Sequence, residues 1–152
     1  MKSQSGFSLV ELLVVVIIIA IIAAIAIPSL LASRRAANQA SAVQTLRTIS
    51  SAENTYFATS GTNNAYGTLD QMRTAGMLDP LFVGTTFTKS GYSFTHTLPA
   101  TPNAYCADAL PNGSNGIKTF GIDNSGLIWQ DLTDPTPCAA GVLDTTGGTT
   151  LQ

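Results

Sequence analysis

Hydrophobic positions are unevenly spread along the 152 residues. From Leu12 to Ile27 sixteen apolar residues follow one another without a break. A helix over the 21 residues Phe7 to Ile27 would be about 31 Å long, the thickness of a bilayer's hydrocarbon core. A small protein has no way to cover such a helix on every face. A membrane-spanning helix is therefore expected ahead of a buried core helix. A cleaved secretory signal fits less well, because the run is long, carries Glu11 near its start and lacks a small-x-small site before a polar mature start. From Pro28 to Thr59 the pattern changes. This stretch has no Gly and no second Pro, and its Ala, Gln, Arg and Leu favour helix. Ala42, Leu46, Ile49 and Tyr56 form one helical stripe, widened by Val43 and Ala52. Gln44, Arg47, Ser51 and Asn54 occupy the opposite face. One helix from Phe7 to about Thr59, roughly 80 Å long, is predicted, apolar all round at first and amphipathic afterwards. Pro28 lies between the halves, where the loss of a backbone hydrogen bond favours a kink.

Beyond Ser60 the chain turns polar and punctuated. Ser60-Gly61-Thr62-Asn63-Asn64 ends the helix with turn residues. Thr68 and Gln71 fit a capping box for a short helix to about Ala75, with Gly76 at its end. Leu69, Met72 and Leu78 should face a core, and Asp79-Pro80 breaks the chain. Tyr92, Phe94, His96 and Leu98 alternate with Ser93, Thr95 and Thr97, which reads as a half-buried strand. Further strands are expected at 104–108, 118–123 and 127–132, the last two joined by Asn124-Ser125-Gly126. The resulting fold class is α+β. An antiparallel sheet of about three or four strands packs on the amphipathic half-helix through Phe94, Phe120, Ile122 and either Ile128 or Trp129.

Composition sharpens this division. Charged residues make up only 11% of the chain and net charge is −2, which argues against a nucleic-acid binder or a charged tail protein. Twelve of thirteen glycines and six of seven prolines lie after Ser60. Orientation signals conflict. Lys2 precedes the span while Arg34 and Arg35 follow it, which by the positive-inside rule places the C-terminal part inside. Cys106 and Cys138 are the only cysteines. They read either as a disulfide of a loop-rich extracytoplasmic domain or as two inert buried thiols. Glu11 stands as the single charge of the span. At mid-bilayer a carboxylate costs about 2.5–3.5 kcal/mol, less near the end of a helix, where its N-terminus favours negative charge.

The segment KSQSGFSLVELL, followed by the apolar run and Pro28, resembles the prepilin signature of type IV pilins and type II secretion pseudopilins. Its parts are a short charged leader ending in Gly6, an aromatic Phe7, and Glu11 five residues into the mature chain. The resemblance in specific residues covers about the first 35 positions. It implies the pilin fold, cleavage between Gly6 and Phe7 by a prepilin peptidase, N-methylation of Phe7, and a mature subunit of 146 residues. It also implies that Glu11 neutralises the Phe7 amine of a neighbouring subunit during assembly. On this reading residues 1–6 are a leader, 7–28 a transmembrane and polymerisation helix, 29–59 its amphipathic outer half, and 60–152 a globular domain. Pilins commonly carry a C-terminal disulfide-bounded region, which 106–138 resembles. A disulfide there would close 31 intervening residues, worth roughly 2–4 kcal/mol.

The function implied is a structural subunit, not an enzyme. It is a single-pass precursor in a bacterial inner membrane, its C-terminal domain outside the cytoplasm, that polymerises into an extracellular pilus with the help of pilus assembly machinery. The partners are therefore further copies of the chain, the membrane and the peptidase. A secretion pseudopilin shares the same leader; the cysteine pair and the Thr-rich tail fit a surface pilus, whereas bound calcium would favour the pseudopilin. A monomeric membrane-anchored binding protein would need neither the Gly6–Phe7 junction nor Glu11. No catalytic constellation and no cofactor is indicated. His96 reads as a packed or surface residue on a strand. Asp123, Asn124, Asp131 and Asp134 are weak calcium candidates, though Asp123 to Gly126 reads first as a hairpin turn. Asn112-Gly113-Ser114 is a glycosylation triplet on an expected loop. Arg34 and Arg35 are expected to reach solvent or lipid headgroups, or acidic residues of neighbouring subunits.

Overall fold

A computed structural model describes residues 6–60, 65–100, 103–131, 137–139 and 141–151. The first helix, α1, spans Leu9–Thr59 and includes Pro28. The chain divides into two compact units, Met1–Arg34 and Arg35–Gln152. In the second unit α1 is followed by α2 (Leu69–Thr74) and the strands β1 (Thr86–Lys89), β2 (Tyr92–Thr97), β3 (Cys106–Pro111), β4 (Phe120–Asp123), β5 (Ile128–Gln130), β6 (Cys138–Ala139), β7 (Val142–Leu143) and β8 (Thr149–Thr150).

The outer part of α1 buries the stripe that its spacing predicts. Ala42, Leu46, Ile49 and Ala52 join Tyr92, Phe94, Ala107, Ala109, Phe120, Ile122 and Ile128 in one core. Each fully buried Leu or Ile contributes about 1.5–3 kcal/mol. α2 closes one end through Leu69 and Met72. Its capping box forms as expected, with the Gln71 N–H donating to Thr68 Oγ1 and the Thr68 N–H donating to Gln71 Oε1. Gln44, Arg47, Ser51 and Asn54 are exposed.

The fold class is α+β, but the main sheet has six strands, in the order β1-β2-β3-β4-β5-β8, with a separate β6–β7 ribbon. The expected three or four omitted β1 and β8. β8 is two residues long and polar, and only its pairing with Trp129 and Gln130 makes it a strand. β1 turns into β2 through Ser90 and Gly91, both at positive φ, the backbone of a two-residue hairpin turn. Phe87 then stands opposite Phe94 and stacks on it at 4.8 Å. The strand expected at 104–108 lies instead at Cys106–Pro111, because its register against β2 runs from Thr97 opposite Cys106 to Tyr92 opposite Pro111. β4 and β5 fall inside the expected 118–123 and 127–132, and their turn carries Gly126 at φ +76°. Leu132 lies outside the described residues.

β3 is buried on both faces from Cys106 to Ala109. Ala107 and Ala109 join the core that includes α1, whereas Cys106 packs with Cys138, Leu143 and the partly buried Trp129. The alternation of β5 thus sends Ile128 and Trp129 to opposite sides, which settles the choice between them.

Candidate functional site

The first candidate lies at the start of α1. Gly6, Phe7 and Ser8 precede the helix and are exposed, Phe7 by 91%. The Ser8 N–H donates to Glu11 Oε2 at 2.9 Å. An acidic side chain reaching back to an orphan amide is a helix-start device, so local chemistry accounts for one oxygen of Glu11. From Phe7 to Leu31 every large apolar side chain is between 48% and 91% exposed. The most apolar 18-residue window of α1 has mean hydropathy 3.3 and nothing covering it. By length and composition this helix can cross a membrane. Pro28 and Ser29 lie within α1, and Arg34 follows.

The second unit holds a polar cluster that sequence reasoning missed. Glu53, fully buried, shares a 2.6 Å hydrogen bond with the buried His96. Its second oxygen accepts the Gly67 N–H at 3.0 Å. Tyr105 donates to Ser50 Oγ at 2.8 Å, and its ring lies 6.2 Å from that of His96. Burial, reinforced by the charge of Glu53, pushes the Tyr105 phenol up to about 12. The same two causes, in the same order, raise Tyr66. The signal was present in the sequence: Glu53 falls on the stripe of Leu46, Ile49 and Tyr56, where a lone carboxyl is out of place. His96 lies on the apolar side of its strand, as the alternation of β2 predicts. The cluster is closed and satisfied, and ties α1 to β2 and to the segment before α2.

The remaining candidates occupy separate places. Cys106 and Cys138 are joined in a disulfide with Cα atoms 5.6 Å apart. Asp123 Oδ1 accepts the Ser125 N–H at 2.8 Å, inside the β4–β5 turn. Asp131 Oδ2 accepts from Lys118 Nζ at 2.9 Å. Asp134 lies outside the described residues, among which no group of three or more His, Cys, Asp or Glu side chains is placed to hold a metal. Asn112 is exposed and its Oδ1 accepts from Ser93 Oγ.

Residues 1–27 match the family described as the prokaryotic N-terminal methylation motif. Neither the curated proteins nor the solved structures give a match. The matched motif implies processing by a prepilin peptidase and assembly at a membrane. The first 27 residues of this chain carry the signature of type IV pilins and pseudopilins, a family of structural proteins.

Proposed function

We propose that the chain is a pilin: a subunit anchored in the membrane by its N-terminal helix, which then polymerises through that helix into a type IV pilus. The observation that supports this best is the pairing of a methylation motif with an apolar helix that the rest of its own unit leaves uncovered. Each Leu, Ile or Val taken out of water contributes about 1.5–3 kcal/mol, so the helix needs either lipid or other copies around it. One carboxyl, at about 2.5–3.5 kcal/mol, does not prevent insertion. In a bundle of helices it does something else. A charge without a partner in an apolar bundle penalises wrong alignments, and a neighbour's Phe7 amine at the level of Glu11 relieves that penalty. Residues 1–6 are then the leader, cut between Gly6 and Phe7, and Phe7 is N-methylated. Residues 7–28 anchor and polymerise, 29–59 carry the globular part, 60–152 complete it on the outer surface, and Pro28 is the point at which the helix bends.

Mass spectrometry of the mature N-terminus tests the processing. A chain beginning at methylated Phe7 is expected; retained Met1 or an unmethylated Phe7 contradicts it. Electron microscopy of surface filaments, with identification of their main protein, separates a pilus from a secretion pseudopilus, which is the alternative reading of the same signature.

A further inference from the structure

Most acids of the second unit are already engaged. Among those described, Glu53 and Asp108 are buried. Asp70 and Asp131 pair with Arg73 and Lys118. Asp123 and Asp144 accept N–H groups of their own turns. Asp79 is different: it is exposed, and no described residue bonds to its carboxyl. Arg47 is exposed too, without an acidic partner among the described residues.

Each of these two charges stands in a shaped place. Asp79 opens a tight turn in which the Phe82 N–H donates to its carbonyl at 3.1 Å, and Pro80 takes the turn position that suits its fixed φ. Phe82 anchors the turn, since it is buried and meets the Phe87 ring edge-on at 4.9 Å. Beyond it the Gly84 N–H donates to Asp70 Oδ2 at 3.3 Å. Pro80 and Leu81 are left at the tip, Leu81 47% exposed. A turn fastened at both ends is a preorganised knob, and little ordering entropy is lost when it is bound. Arg47, with Ser51 and Thr55, lines two grooves along α1. One, of about 500 Å³, has Ala52 and Met77 in its wall; the other, of about 680 Å³, reaches Ile122 and Gly126. Met77 precedes Asp79 by two residues, so the knob and the first groove lie side by side. Two copies that meet face to face can each place a knob in the other's groove, which is the arrangement of a two-fold contact.

We propose that Arg35–Gln152 pairs with a second copy of itself in this way, Asp79 of each copy meeting Arg47 of the other while Leu81 covers Met77 and Ala52. A free acid on the knob and a free cation in the groove make the surface complementary to itself in charge as well as in shape. A copy docked the wrong way round leaves both charges without a partner, which sets the register. A turn of four residues covers little area, so the contact is weak and reversible. It uses this unit alone and stands apart from the polymerisation assigned to the N-terminal helix.

The test uses the full chain in detergent at high concentration, with photoreactive benzoylphenylalanine in place of Leu81 and an equal mixture of unlabelled and nitrogen-15-labelled protein. After illumination, mass spectrometry is expected to find mixed-isotope peptides that join position 81 to Met77 or to α1 between Arg47 and Thr55. Arg47→Asp and Asp79→Arg are each expected to lower the yield of these peptides about tenfold, because the symmetry changes two ion pairs at once, and by less at high salt. The two reversals together are expected to restore it. Absence of mixed-isotope peptides at these positions overturns the proposal. So does a single reversal without effect, or a double reversal that fails to restore the yield. Rescue of Asp79→Arg by Lys89→Asp instead of Arg47→Asp overturns it as well, since the cation in the groove is then not the partner.

Discussion

Glu53 and His96 are the least expected pair of side chains in the protein. Both are buried, and neither has water to fall back on if its partner is removed. Glu53→Ala leaves His96 and the Gly67 amide without an acceptor, at a cost of about 3 kcal/mol. Thermal unfolding of the detergent-solubilised chain should show it as a marked fall in Tm. The double change Glu53→Met with His96→Leu should lose less than the sum of the two single changes, since a buried polar pair can be replaced by apolar volume; additive losses would mean that the pair is not coupled. The tyrosines give a second residue-scale expectation. Burial raises Tyr92 and Tyr105 from 10.0 to about 12. Their folded-state contribution is complete below pH 10 and is lost as pH rises through about 12. An absorbance titration should show tyrosinate forming late and together with unfolding, and Tyr105→Phe should remove one of the late-titrating groups.

At the scale of elements, β3 is the strand on which the second unit depends. It lies between the core that includes α1 and the packing of the β6–β7 ribbon, and it carries one end of the disulfide. The ribbon strands are two residues each, too short to persist alone. Closing a loop of sequence separation 32 lowers the entropy of the unfolded chain by an amount worth about 3.7 kcal/mol. Reduction, or Cys106→Ser with Cys138→Ser, should therefore lower the denaturant midpoint. Hydrogen exchange should speed up first in β6 and β7 while β2 and β3 stay protected; uniform loss of protection across the sheet would contradict this order. Gly141 limits how this ribbon can be altered. It lies at φ +78° with Pro99 against it, so a Cβ there has no room.

For the whole molecule, the two units divide the tasks. Arg35–Gln152 holds the buried core, and Met1–Arg34 presents apolar side chains to its surroundings. Glu11→Ala removes the single charge of the apolar span Phe7–Ile27 and should leave membrane insertion intact, while reducing the yield of filaments. Fractionation of membranes measures the first and filament recovery the second. Undiminished yield would end the assembly role assigned to Glu11.

The sequence by itself determined the long helix, its apolar and amphipathic halves, the capping box of α2 and the methylation signature. All of these rest on spacing within one stretch of chain, where periodicity of 3.6 residues and cap chemistry act directly. It placed His96 and Leu46 on the correct faces for the same reason. The tertiary structure decided what depends on distant partners. β8 became a strand because β5 offered it an edge. β3 became buried on both sides because a ribbon some thirty residues later is tied to it by the disulfide. Glu53 found His96 across 43 positions of sequence. A carboxyl on an apolar stripe announces that it needs a partner, but only the packing of helix on sheet decides which residue supplies it.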